Sequence, residues 1–464
     1  MPLFNTTIAA IATPPGKGGV AVVRLSGPEA FTVADRVFRP ADPRKSIAAA
    51  PGYTALFGHF WVDGRQADQT VALVFRAPKS YTGEDVAELS CHGGTAVVQV
   101  LLNACLAAGA VMAGPGEFTR RAFLNGKLSL TEAEAVMDLV EADNAQAAAA
   151  AAAAMSGALW KRVNAIGDSL LTLQSHIAAW TDYPEEDVEA LGDAALSKTL
   201  NAAKTELQSL VVGYDSGEKV RRGVPTVLVG APNVGKSTLL NLLAGREKAI
   251  VTPVPGTTRD VVEDAVTLDG VTLLLADTAG LRETDDPVER EGVRRSRERM
   301  ERAALVLAVF DTARPLTEEE KQLAASLQKA AVPTLYLLNK NDLPAVWGAE
   351  ELFGTEKHPA DTVLSLSANA ADDRKKLEQA ILRLLRLEHF DPDAALLANR
   401  RQLTAARQAL DAVDAALSAH TGGMDLDAVG VCVQDALTAL YTLTGQDASE
   451  AVVDAVFSHF CVGK

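Results

Sequence analysis

The chain has 464 residues, of which 48% are hydrophobic and 22% charged, and its 60 acidic and 44 basic side chains leave a net charge of −16. That composition excludes disorder as the main state, and the acidic balance excludes a general basic coat for nucleic acid while leaving room for a local basic patch. At about 150 residues per domain the length predicts roughly three domains. The four cysteines, Cys91, Cys105, Cys432 and Cys461, contain no CxxC pair, so neither a disulfide framework nor a zinc site is expected. Met1 to Asn5 carry no basic region ahead of an apolar run, and no stretch reaches the roughly 18 strongly apolar residues of a membrane span. A cytoplasmic chain with no membrane partner is therefore expected.

Residues 1–118 read as mixed strand and helix. Val20 to Val23 and Val71 to Phe75 are short β-branched runs bounded by Gly and Pro, and Ala96 to Leu106 is an amphipathic stretch between Gly94 and Gly109. From Leu130 the pattern turns helical. A long periodic segment carries Leu159, Val163, Ile166, Leu170, Leu173 and Ile177. Tyr183 to Asp187 break it, and a second helix is expected over Ala194 to Tyr214. Between about 222 and 385, buried strands (Val227 to Val229, Val271 to Ala276, Ala304 to Phe310, Thr334 to Leu338) alternate with helices, the mark of a parallel sheet. Residues 390–464 return to helix. The expected organisation is an α+β domain over 1–118, an all-α helical domain over 119–218 and 386–464, and an α/β domain over 219–385 inserted into the helical one.

The inserted domain carries the most specific signal. Gly230-Ala231-Pro232-Asn233-Val234-Gly235-Lys236-Ser237 lies between a strand and a helix starting at Thr238, which is the setting a P-loop requires. In that setting backbone N–H groups and a helix N-terminus face phosphates, Lys236 reaches the outer phosphates, and Ser237 ligates Mg²⁺. Asp277-Thr278-Ala279-Gly280 ends a buried strand, where an aspartate reaches the magnesium shell and a glycine the γ-phosphate. Asn339-Lys340-Asn341-Asp342 and Ser367-Ala368 follow two further strands, so all four motifs lie at the carboxyl edge of one sheet. The Asp342 carboxylate can accept from both N1–H and N2–H₂ of guanine, and adenine offers neither donor; the expected nucleotide is GTP.

The position after Asp-x-x-Gly, where many GTPases place a water-orienting glutamine, is Leu281. Arg282, Glu283, Asp285, Asp286, Glu289 and Glu291 are nearby candidates for that task. The transition-state charge also needs a further cation. Arg282 or Arg259 could supply it. So could a K⁺ ion held by Asn233 and by backbone oxygens of the stretch Thr252 to Asp260.

These motifs coincide with others along the chain: Pro14 to Val20 through Arg24-Leu25-Ser26-Gly27, Tyr81 to Glu88, Pro115 to Thr119 through Leu124 to Lys127, Gly256-Thr257-Thr258-Arg259-Asp260, and the terminal Cys461-Val462-Gly463-Lys464. Together they closely resemble the MnmE (TrmE) family of tRNA-modifying GTPases, over essentially the whole chain. The resemblance implies an N-terminal tetrahydrofolate-binding-like domain that dimerises, a helical domain and an inserted P-loop GTPase domain. It implies a homodimer that joins a flavoprotein partner, MnmG (GidA), in a heterotetramer or larger complex. That complex adds an aminomethyl or carboxymethylaminomethyl group to C5 of the wobble uridine of certain tRNAs, with 5-formyl- or methylene-tetrahydrofolate as the one-carbon donor.

By position, Arg24, Glu88, Lys127 and Lys464 match the family's folate contacts, and Cys461 is a candidate thiolate. The Glu88 carboxylate suits a pterin's donor edge, and the basic residues suit folate's anionic tail. Glu289 matches the water-activating glutamate, and Thr258 joins Ser237 on Mg²⁺. Asn233 with oxygens of Thr252, Val254 and Thr257 matches a K⁺ site, and Pro253, Pro255 and Gly256 complete the loop over the nucleotide. The alternative is a ribosome-assembly-type GTPase, which has no reason to carry the folate-type region or the Cys-Val-Gly-Lys tail.

Overall fold

The computed structural model describes residues 5–182, 192–244, 264–268, 270–277, 303–353 and 360–464. The chain divides into two compact units, one of residues 1–137, 154–207 and 404–464, the other of residues 138–153 and 208–403.

In the first unit, β1 (Ile8–Ile11), β2 (Val20–Ser26), β3 (Phe38–Pro40), β4 (Thr54–Val62), β5 (Arg65–Phe75), β6 (Val86–His92) and β7 (Val111–Met112) form a sheet in the order β3-β4-β5-β6-β2-β1-β7. The two-residue period decides which side chains are covered. Val23, Leu25, Ala87 and Leu89 are buried with the helices Ala30–Val37 and Thr95–Ala107 on one face. Ile8, Ala10, Ala113 and Phe118 form a smaller cluster on the other, the face to which Arg24 and Glu88 belong by alternation. The helices Leu130–Val140 and Glu450–Phe457 share a core of Leu130, Val136, Val453, Phe457 and Phe460.

Contrary to the expectation that no stretch would reach the length and apolarity of a span, one helix among the described residues, Leu426–Thr444, is long and apolar enough to cross a membrane by length and composition. It packs against Ala158–Asp182 and buries Val429, Val433, Leu437, Leu440 and Leu443.

The second unit is built on β8 (Val224–Val229), β9 (Asp264–Leu268), β10 (Val271–Asp277), β11 (Leu305–Asp311), β12 (Thr334–Asn339) and β13 (Val363–Ser365), in the order β13-β12-β11-β8-β10-β9. All pairings are parallel except β9 with β10. The sheet order turns at β8, whose two neighbours both come later in the chain, so the loop after β8 opens onto a switch-point crevice.

The periodic segment expected from Leu130 onward is three helices, Leu130–Val140, Ala145–Met155 and Ala158–Asp182. The first break has a local cause: Asn144 Oδ1 accepts from the Ala147 amide at 2.8 Å and starts a new helix there. Asn144 Nδ2 donates to Val220 O and Thr272 Oγ1, and Ala147 is 1% exposed in the core of the second unit. The expected second helix is found as Asp193–Arg222, and the break at Tyr183 to Asp187 lies outside the described residues.

Candidate functional site

The phosphate loop leaves the end of β8 and enters the helix Lys236–Ala244. Its backbone takes positive φ at Gly230 (148°), Asn233 (63°) and Gly235 (103°), which curls the amides inward. Val234 is fully buried and anchors the curl, while Asn233 and Ser237 are exposed. Lys236 Nζ lies 2.8 Å from the Gly230 carbonyl and 2.9 Å from that of Ala231, so its ammonium sits within the curl it is expected to serve. Thr238 follows in the first turn of the helix. The Ser237 hydroxyl at a helix start is a hard oxygen donor beside a phosphate cradle, which fits Mg²⁺. Asp277 ends β10 in register with Leu228 of β8, one residue before β8 ends.

One side chain ties the phosphate loop to the segments expected to meet the base. Asn339 is 2% exposed; its Nδ2 donates to the Val234 carbonyl at 2.7 Å, and its Oδ1 accepts from the Ala368 amide at 2.9 Å. Asn341 N donates to Leu366 O at 3.2 Å. Asp373 Oδ2 accepts from the Ser367 amide at 2.8 Å, and bonding to Lys376 and to that amide holds the Asp373 carboxyl below its usual range. Segments 230–237, 339–342 and 367–368 are thus one bonded assembly at the carboxyl edge of the sheet. Asp342 is exposed at its rim. Thr252, Pro253, Val254, Pro255, Gly256, Thr257, Thr258, Thr278, Ala279, Gly280 and Glu289 lie outside the described residues.

Gly235 shows how tight the assembly is. A Cβ there would stand 2.3 Å from Asn339 Nδ2, so Gly235→Ala must displace the amide that joins the two halves. The substitution is expected to lower guanine-nucleotide affinity at least tenfold, since a lost bond of about 1.5 kcal/mol is added to backbone strain. Titration with a fluorescent GDP checks this.

A second cluster lies on the sheet of the first unit. Arg24 and Glu88 are directly opposite in the β2–β6 ladder, with Arg24 Nε donating to Glu88 Oε1 at 2.8 Å. The guanidinium carbon stands 5.4 Å from the Tyr81 ring centroid and 5.6 Å from that of Phe118. Tyr81 OH and Thr119 Oγ1 are 2.8 Å apart, and burial raises the tyrosine's pKa. Lys127 Nζ donates to Pro78 O at 3.2 Å, and Asn125 Nδ2 to Thr82 O at 2.7 Å, so the turn carrying Lys127 is tied to the loop carrying Tyr81.

The C-terminal tail joins the same unit. Val462 bridges Pro115, Gly116 N donates to Cys461 O at 3.3 Å, and Phe118 N donates to Lys464 O at 3.2 Å. Gly463 has φ 100°, and a Cβ on it would stand 2.3 Å from Ile11 O. Only glycine allows the tail to run that close to the end of β1. The Cys461 residue is exposed. The cluster therefore brings together Arg24 and Glu88, adds the rings of Tyr81 and Phe118, and seats Cys461 to Lys464 against the segment that carries Phe118. The two rings stood inside motifs quoted from the sequence, but their place around Arg24 depends on the fold. An anionic, flat, aromatic group fits such a donor set.

Comparison with known proteins gives two family matches. The GTP-binding protein TrmE N-terminus matches residues 7–127, and the MnmE helical domain matches residues 130–461. The chain is 42% identical to the tRNA modification GTPase MnmE of Symbiobacterium thermophilum, over 99% of both chains. It is 40% identical to that of Geobacillus thermodenitrificans, over 99% of both, and 38% identical to that of Cytophaga hutchinsonii, over 99% of this chain and 98% of the relative. With likeness running from end to end and both family domains in place, the chain belongs to the MnmE family of tRNA modification GTPases.

Proposed function

We propose that this chain hydrolyses GTP at the carboxyl edge of the β8–β12 sheet and uses the cycle to modify C5 of the wobble uridine of certain tRNAs. The observation that carries the reading is 42% identity to a tRNA modification GTPase over 99% of both chains, and the phosphate loop held to the base-recognition turn through Asn339 supports it. In this reading Gly235 and its neighbours offer amides to the phosphates, Lys236 offers its ammonium, and Asp342 selects guanine. Glu289 activates the attacking water where Leu281 cannot. Ser237 and Thr258 would hold Mg²⁺, and Asn233 with oxygens of Thr252, Val254 and Thr257 would hold K⁺. When bound, these cations neutralise charge on the phosphate oxygens. Arg24, Glu88, Lys127 and Lys464 bind 5-formyl- or methylene-tetrahydrofolate, and Cys461 supplies a catalytic sulfur there. The working assembly is a cytoplasmic homodimer joined to the flavoprotein MnmG.

The test is mass spectrometry of tRNA nucleosides from cells lacking the chain and from cells with it restored. Loss of a C5-substituted wobble uridine, regained with the wild type but not with Lys236→Ala, is expected. An unchanged nucleoside profile on deletion would overturn the reading. The cation assignment has its own check, because GTP turnover by the purified chain is expected to be faster in K⁺ than in Na⁺ at equal ionic strength. Equal rates would remove the K⁺ site.

A further inference from the structure

Asp311 ends β11, directly across the ladder from Asn339. It is 5% exposed, and both its carboxylate oxygens are engaged. Oδ1 accepts from the Ala313 amide at 2.9 Å, and Oδ2 accepts from Lys340 Nζ at 2.6 Å. The surroundings hold the carboxylate in place. Arg314 Nε stands 3.8 Å from the same Oδ2 and is itself bound to Glu320 through NH1 and NH2 at 3.0 and 2.7 Å. The Trp347 indole donates to the carbonyls of Asp311 and Arg314.

Lys340 occupies the second position of the base-recognition turn with φ 68°, a left-handed conformation that residues with a Cβ seldom adopt. Such a conformation persists where neighbours over-determine it. Two ties do so here: the ion pair to Asp311, and the Thr312 amide and hydroxyl, which both donate to the Asn339 carbonyl at 3.2 and 2.9 Å. A half-exposed lysine ordinarily samples many rotamers, and ordering it at the moment of ligand binding weakens affinity. A lysine already pinned at its ammonium by Asp311 has that ordering done before the ligand arrives.

We propose that Asp311 is a positioning residue of the guanine site, which locks Lys340, and with it the base-recognition turn, in one conformation before the nucleotide arrives. This rests on the GTP reading above. An ion pair of this kind is a weak source of fold stability, because the charges must leave water to form it; its consequence is preorganisation of the site.

The test measures GDP affinity with a fluorescent GDP, and KM and kcat for GTP, on the full chain. The proteins are wild type, Asp311→Asn, Lys340→Met and the double variant. Asp311→Asn is expected to raise Kd and KM roughly three- to tenfold, the scale of ordering one rotamer-rich side chain, and to leave kcat at saturating GTP unchanged. Lys340→Met is expected to raise Kd by a similar factor, and Asp311→Asn to add nothing in that background. A wild type that binds GDP beside an Asp311→Asn protein of equal affinity overturns the inference alone. So does a penalty that persists undiminished in the Lys340→Met background. A wild type that binds no GDP overturns the GTP reading itself. If Asp311→Asn does not fold, Lys340→Met decides: an unchanged Kd overturns the proposal.

Discussion

Asp342→Asn is expected to cut the preference of this chain for GTP by about 10²- to 10⁴-fold, because two charge-assisted bonds of about 1.5–3 kcal/mol each are removed or weakened. The same change should create activity with XTP. Xanthine keeps the N1–H donor but carries an oxygen at C2, which the amide N–H₂ of asparagine can meet. The structure gives reasons to expect a change of selectivity without collapse. Asp342 is exposed at the rim, while the turn that presents it is held from behind by Asn339 and by the Asn341 amide. Competition of GTP and XTP for a fluorescent GDP is the measurement. An Asp342→Asn protein that still preferred GTP would remove the base assignment.

The α/β unit was legible because strands buried on both faces are continuous apolar runs, and because a P-loop is a local pattern. Val224–Val229, Leu305–Asp311 and Thr334–Asn339 lie within a few residues of where the sequence put them. β9 had no such signal. It is a five-residue edge strand, antiparallel to β10, whose pairing depends on its partner. The break at Asn144 was also hidden, since an alanine run continues a helical period without saying where a helix stops.

The sites divide in the same way. Asn339, Lys340 and Asp342 stand together in the chain and were found together. Asp311 stands beside Asn339 only through the β11–β12 register, and the rings of Tyr81 and Phe118 meet Arg24 only because separate elements converge on one sheet face. Arg121 is the plainest case. An arginine in Glu117-Phe118-Thr119-Arg120-Arg121 reads as a surface charge, yet it is wholly buried.

That burial predicts a large effect. Arg121 NH1 donates to Thr6 O at 2.8 Å and to Glu84 Oε2 at 3.1 Å, and NH2 donates to Thr6 Oγ1 at 3.1 Å and to Glu117 Oε1 at 2.8 Å. Glu84, 8% exposed, also accepts from Ser26 Oγ at 2.7 Å. Arg121→Met keeps much of the volume and removes every donor, stranding the Glu84 carboxylate in a dry site. Breaking one side of a buried pair costs about 3–5 kcal/mol, and the midpoint of thermal unfolding should fall by roughly 10 °C. Glu84→Gln added to Arg121→Met should recover part of the loss, because the stranded charge is gone; a core that had merely lost packing would gain nothing from it. The consequence extends to the second cluster. Arg121 joins the helix of Phe118 to the loop that carries Tyr81 and Glu84, and those two rings flank Arg24. If the second cluster is the tetrahydrofolate site proposed above, Arg121→Met should therefore weaken tetrahydrofolate binding even below its melting temperature, while the affinity for GDP, set in the other unit, stays at the wild-type value. Calorimetry with each ligand separates the two, and equal loss of both would show that the arginine supports the whole chain and not this site.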